Sequence, residues 1–247
     1  MSIPQPIAIQ SWCYRNFKTL PALVEQLKAT GVSATELCGV HADFAAAEGY
    51  AAIIDTFKKA QVQIVAIGVE YLSGDPAKDE PRFKFCQAAG IKHMSISFQP
   101  EAMFDGVKQI EKLAEKYDLK LGIHNHGGYD WLGNATILKY IFSKTSPRIG
   151  LYMDSAWAID AKQNPIEWVE KFADRLHGVH VKDFIYDRAR QPTDVIIGTG
   201  NLDLPKLMNT LGQIKFSGPL VIEYEGDEKN PVPALKKCVA AMRAIGA

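Results

Sequence analysis

Short apolar runs rich in β-branched residues recur along this chain at a nearly constant step, and segments with helical spacing lie between them. The runs occupy residues 7–11, 34–37, 63–69, 93–98, 120–124, 149–154, 178–182 and 220–224. Their starts are separated by roughly 28 residues, the size of one βα unit, and only the last step is longer. Leu20-Leu23-Val24-Leu27 and Val107-Ile110-Leu113-Ala114-Tyr117 show the apolar stripe of amphipathic helices between two such runs. Strict alternation of strand and helix requires a parallel sheet. Eight units in about 250 residues predict a closed α/β (βα)8 TIM barrel, one domain over residues 1–247 with no linker. An open doubly wound sheet is the alternative. It is disfavoured because Gln10-Ser11-Trp12-Cys13, not a G-x-G-x-x-G turn, follows the first run.

Alternation within the strands supports closure. Val179 and Val181 oppose Gly178, His180 and Lys182; Val65, Ile67 and Val69 oppose Ala66, Gly68 and Glu70; Leu220 and Ile222 oppose Val221, Glu223 and Glu225. Large apolar residues suit the surface beneath the helices, and small or polar ones suit a barrel axis that opens to water at one end.

Composition excludes several function classes. Lys and Arg number 28 and Asp and Glu number 28, so no overall basic field exists to hold a nucleic-acid backbone. Cys13, Cys38, Cys86 and Cys238 are widely spaced without a CxxC pair, which fits reduced thiols. Pro4 and Pro6 interrupt the place of a signal peptide, and no segment has the length of a membrane span. The expectation is a cytoplasmic protein without membrane contact, with a removed export leader and a homo-oligomer left open.

A parallel barrel brings its strand ends into one ring, where active sites of this architecture lie. Nearly every run ends on an ionisable residue: Glu36, Glu70, His124-Asn125-His126, Asp154, His180-Val181-Lys182-Asp183 and Glu223-Tyr224-Glu225. Carboxylates gathered there without a cation would destabilise the fold, so one divalent metal is expected. Mixed imidazole and carboxylate donors favour manganese, iron, cobalt or zinc over an all-oxygen calcium cage.

In this order the motifs resemble the sugar isomerase/epimerase superfamily of xylose isomerase-like barrels, over nearly the whole chain. The carriers are Ile9-Gln10-Ser11-Trp12 with Arg15, Thr35-Glu36-Leu37, Gly122-Ile123-His124-Asn125-His126-Gly127, Met153-Asp154, His180-Val181-Lys182-Asp183, Gly198-Thr199-Gly200 and the stretch from Gly218 to Glu225. The resemblance implies a divalent cation, manganese first, with cobalt, zinc, iron or magnesium as alternatives. It implies Asp154, His180 and Glu223 as metal ligands. The fourth position, a glutamate on strand five in the family, is His124 here, with His126 as the alternative ligand or a substrate-facing group. The family's ketose 3-epimerases pair that glutamate with the strand-eight glutamate as two bases. The His-Asn-His form resembles instead the branch of inosose dehydratase-like enzymes and lyases acting on 3-keto-glycosides.

The resemblance implies a small-molecule carbohydrate substrate, a keto-sugar or related polyol, deprotonated next to its carbonyl through a metal-stabilised enediolate. Isomerisation, epimerisation and β-elimination share that first step. Glu223, Lys182 and His126 are the candidate catalytic residues. Lys182 could neutralise an enolate oxygen or pair with Asp183. Glu36 and Glu70 are candidate substrate acceptors or structural partners of basic side chains. Trp12, Tyr14 and Trp157 are candidates for stacking on a sugar ring. The segment 183–204, with Tyr186, Arg188 and Arg190, is a candidate lid or oligomer contact, and Arg188 a candidate substrate ligand. Glu225 is an outer partner of the site or a solvated loop residue. His41, His93 and His177 are expected to be structural. A noncatalytic sugar-binding barrel is the reading from another class. An abasic-site endonuclease, with its three zinc ions and basic face, is disfavoured by six histidines and zero net charge.

Overall fold

A computed structural model describes residues 6–245; Pro4 lies outside the described residues. Eight parallel strands close into a barrel: β1 (Ile7–Gln10), β2 (Ala34–Leu37), β3 (Gln63–Tyr71), β4 (His93–Ser97), β5 (Lys120–His124), β6 (Ile149–Asp154), β7 (Leu176–Val181) and β10 (Leu220–Ile222). Each pairs with its neighbours in order, and β10 closes the ring between β7 and β1. The predicted barrel is the observed fold. All eight predicted runs are strands, though β7 begins two residues earlier than predicted and β10 ends after three residues.

Helices follow the barrel strands: α1 (Leu20–Thr30), α2 (Tyr50–Ala60), α3 (Pro76–Ala89), α4 (Asp105–Lys116), α5 (Ala135–Lys144), α6 (Ser155–Asp160), α7 (Pro165–Lys171), α8 (Leu204–Gln213) and α9 (Val232–Ile245). Their limits have local causes. Thr19, Asp75, Asn134, Asn164 and Asp203 each accept a backbone N–H of the first turn, and Pro stands in the first turn of α1, α3, α7 and α8. Gly31 and Gly90 end α1 and α3 in the left-handed region, at φ 82° and 69°.

The alternation divides the interior as expected. Ile67, Val179, Val181, Leu220 and Ile222 join the large core beneath the helices, while Ala66 and Val221 join Ala8, Ala34 and Tyr152 in a small cluster on the axis. Val65 is the exception, packing on the axis cluster. The register of β3 shifts against both neighbours, so simple alternation fails along it. Tyr152 is a large ring on an axis of small residues because its neighbours lack side chains. A Cβ on Gly122 would stand 2.7 Å from the Tyr152 Cβ, and one on Gly178 would stand 2.2 Å from its ring.

The long connection after β7 holds a two-stranded antiparallel hairpin, β8 (Phe184–Tyr186) and β9 (Pro192–Asp194). Its return is fastened by Asp183, whose carboxylate accepts the backbone N–H groups of Gly198, Gly200 and Leu202 at 2.8–2.9 Å. Asp183 is therefore the anchor of this segment. Among the described residues no helix is long and apolar enough to cross a membrane.

Candidate metal centre at the barrel mouth

The ends of β5, β6, β7 and β10 bring His124, Asp154, His180 and Glu223 together, each buried, with one potential ligand atom apiece within 4.8 Å of all the others. Side-chain stitches hold these ends in place. Asn125 donates to the Asp154 carbonyl at 3.0 Å and accepts the Asp154 N–H at 2.8 Å. Ser155 likewise donates to the Lys182 carbonyl and accepts its N–H, tying β6 to β7. The Glu223 N–H donates to the Val181 carbonyl, tying β10 to β7.

Within the group His124 Nε2 stands 2.9 Å from His180 Nδ1, 3.8 Å from Asp154 Oδ2 and 3.8 Å from Glu223 Oε2, and His180 Nδ1 stands 3.2 Å from Glu223 Oε2. Four donors each about 2.1 Å from one cation would stand about 3.4 Å apart in a tetrahedron, within the span of these separations. Asp154 divides its carboxylate: Oδ1 accepts the Trp157 N–H at 2.8 Å and caps α6, while Oδ2 is buried without a partner. A buried carboxylate oxygen left unpaired is costly unless something positive meets it. The donor set and its geometry fit a divalent metal.

Electrostatics agree. Burial pushes the Asp154 carboxyl well above the usual carboxylate range, against the pull of Lys182. Burial also lowers the His124 pKa to about 4, keeping that imidazole neutral and able to donate its lone pair. His180 is different. Burial opposes its charge, but Glu36 and Glu223 on its two sides hold its pKa well above the ordinary histidine value. Glu223 is also buried, yet Lys182 and His180 hold it well below its usual range. A cation at the centre would ionise Asp154 and displace the proton from His180 Nδ1.

Glu36 is buried and not open to the mouth: it lies 2.9 Å from His180 Nε2 and accepts from Ser95 Oγ at 2.5 Å. That is the carboxylate–imidazole arrangement that orients metal-binding histidines. Glu70 pairs with Arg82 at 2.6 Å, the structural one of its two expected roles. His126 is about one-third exposed; its ring centroid lies 4.6 Å from that of His124, and its Nδ1 lies 3.3 Å from Asp130 Oδ2. Trp157 stands 6.2 Å from His126 and also covers Lys182. Lys182 pairs with Glu225, since the Asp183 carboxylate is engaged with its loop.

Trp12 is partly exposed and donates its indole N–H to Glu225 Oε2 at 2.9 Å. Tyr14 does not reach the mouth: it is fully buried, with its hydroxyl 2.6 Å from that of Thr30. Arg188 is exposed in the turn between β8 and β9. His93 and His177 lie at the strand starts, and His41 lies beside Cys38. Asp130 and Asp194 escaped sequence reasoning. Neither ends a strand of the predicted barrel, and only the i, i+4 spacing of His126 and Asp130 offered a signal.

A family model described as xylose isomerase-like TIM barrel matches residues 21–245. An inosose dehydratase of Clostridium beijerinckii is 24% identical over 137 residues, 50% of this chain and 46% of the relative. The chain thus matches about half the length of that relative. A 3-oxo-isoapionate decarboxylase of Pectobacterium atrosepticum is 25% identical over 210 residues, covering 78% of this chain and 72% of its own. Among solved structures, a 3-keto-D-glucoside 4-epimerase, YcjR, from E. coli superposes with a TM-score of 0.72 at 15% identity, covering 97% of this chain and 99% of that one. At that identity the likeness concerns the fold alone.

Proposed function

Because the chain belongs to the xylose isomerase-like TIM-barrel family and gathers a sealed His-Asp-His-Glu quartet at its mouth, we propose that it is a divalent-metal-dependent enzyme acting on a keto-sugar or related cyclic polyol. The observation that carries this reading is that His124, Asp154, His180 and Glu223 each offer one ligand atom within 4.8 Å of all the others, with Asp154 Oδ2 buried and without a hydrogen-bond partner. When bound, the cation supplies Lewis-acid polarisation of a carbonyl and neutralises the charge that develops there as the adjacent C–H is deprotonated.

The chain's own residues do the rest. Glu36 orients His180, Asn125 positions Asp154, and Trp157 offers an aromatic face beside the mouth. His126 is the half-open imidazole of the site, and Asp130 holds its Nδ1 side, leaving Nε2 for a substrate proton. Lys182 supplies a fixed positive charge in the wall.

Elimination fits these residues best. The proton on the carbon next to the ketone passes to His126 Nε2, which hands it to the departing β-hydroxyl, so that water leaves and an unsaturated ketone remains. His124 replaces the carboxylate that a symmetric two-base epimerisation would need, which favours this outcome. The inosose dehydratase relative points the same way.

The test is manganese-loaded protein with inososes and 3-keto-glycosides in D2O, followed by NMR. Exchange at the carbon next to the ketone with growth of an unsaturated ketone is the expected result. Exchange with recovery of an isomer or epimer would redirect the reaction class. No exchange with any member, despite ligand-induced thermal stabilisation, would leave a binding-only barrel.

A further inference from the structure

Lys182 is the one fully buried lysine among the described residues, and its surroundings are unusually acidic. Its ammonium sits between the rings of Trp157 and Phe184, at 5.4 and 5.5 Å. Three carboxylates face it: Glu225 Oε1 in direct contact, and Glu223 Oε2 and Asp194 Oδ1, each at 3.8 Å. The Glu223 oxygen is the same atom that points to His180 and His124 at the centre of the quartet. An ammonium in hydrogen-bond contact with that oxygen would compete for the electrons a cation needs and would place like charge beside it.

We infer that Glu225 is a positioning residue that holds Lys182 off Glu223 and so keeps the metal ligand available. The inference rests on the metal reading above. Glu225 is built for this task from three parts of the chain. Its Oε2 accepts the Trp12 indole N–H at 2.9 Å, its carbonyl accepts from Arg15 Nη2 at 3.0 Å, and its own N–H donates to Asp194 Oδ1 at 3.1 Å. Trp12 and Arg15 come from the loop after β1, and Asp194 from the hairpin, so both segments are fixed walls of the site. A buried ammonium deprived of its partner has no water to turn to and must settle on another carboxylate. Glu223 and Asp194 are equally near, and Asp194 Oδ1 already accepts the Glu225 N–H.

The experiment is calorimetric titration of Mn2+ into dialysed wild-type protein and the variants Glu225→Gln, Glu225→Gln/Lys182→Met and Asp154→Ala, each checked for folding by circular dichroism. The expected loss for Glu225→Gln is about tenfold to a hundredfold in affinity, the range of outer partners of metal ligands. Removing Lys182 in that background is expected to restore wild-type affinity. Loss of one negative charge would weaken binding by itself, so a crystal structure of Glu225→Gln separates the two causes. Positioning predicts the Lys182 ammonium on Glu223 Oε2. An unmoved Lys182, an unchanged affinity, or a double variant as weak as the single one overturns the inference. Wild-type protein that binds no Mn2+ overturns the metal reading itself, and the inference with it.

Discussion

Two pairs of histidines sit at opposite ends of one barrel: His124 and His180 at the mouth, His93 and His177 at the strand starts. His177 Nδ1 lies 3.0 Å from the Leu121 carbonyl, and the charges near it are the cations Lys120 and Arg175. Burial and these cations lower the pKa of His177 to about 4, and burial with His177 does the same to His93. At the mouth His180 lies between two carboxylates, and an unpaired carboxylate oxygen of Asp154 points into the same space. Burial alone therefore does not mark a functional histidine. What marks it is a ring set between carboxylates beside a buried carboxylate oxygen of Asp154 that has no partner, an arrangement that a cation would complete.

Removing one group at each end separates the two pairs. Manganese is expected to raise the melting temperature of wild-type protein and of His177→Gln, and to leave Asp154→Ala unmoved, as differential scanning fluorimetry would show. The pH dependence of stability comes next. The folded-state pKa of His177, about 4, lies below the unfolded value of about 6.5, so the unfolded chain takes up the proton first. Stability is then lost as pH falls from the unfolded value towards the folded one, by roughly 2–3 kcal/mol for this group. In His177→Gln that part of the acid loss should vanish in urea titrations at pH 7 and pH 4. An unchanged acid profile would mean that His177 does not contribute to the acid loss.

Smaller effects sharpen the picture at the mouth. Glu36→Gln keeps the shape but halves the negative charge around His180, and is expected to weaken metal binding about tenfold or more with the barrel intact. Isothermal titration would measure it. Arg188→Ala, in the exposed hairpin turn, is expected to change stability by less than about 0.5 kcal/mol and metal affinity not at all. A marked loss of affinity there would mean that the hairpin closes onto the site.

Much of this organisation is legible in the sequence because the βα period is a property of neighbours along the chain. A repeat near 28 residues gives the barrel, and the barrel gives the ring of strand ends without knowledge of any contact. The quartet positions follow from that ring together with the family resemblance. What was illegible depends on pairings across the chain. Trp12 and Glu225 meet although 213 residues separate them, and Glu36 meets His180 across 144. No periodicity announces such contacts, so Trp12 reads as a stacking residue and Glu36 as either a substrate acceptor or a partner of a basic side chain. The hairpin was missed because β8 and β9 have three residues each, too few to show alternation. Tyr152 breaks the pattern of a small-residue axis for a reason visible only in three dimensions, the paired absence of side chains at Gly122 and Gly178.

Elemental mass spectrometry on protein purified without chelator or affinity metal reads the occupancy of the quartet outright. One equivalent of a divalent transition metal per chain is expected in wild-type protein and in His177→Gln, and none in Asp154→Ala. Equal metal in Asp154→Ala, or none in wild-type protein even after incubation with manganese, cobalt and zinc, would contradict a metal centre at the quartet.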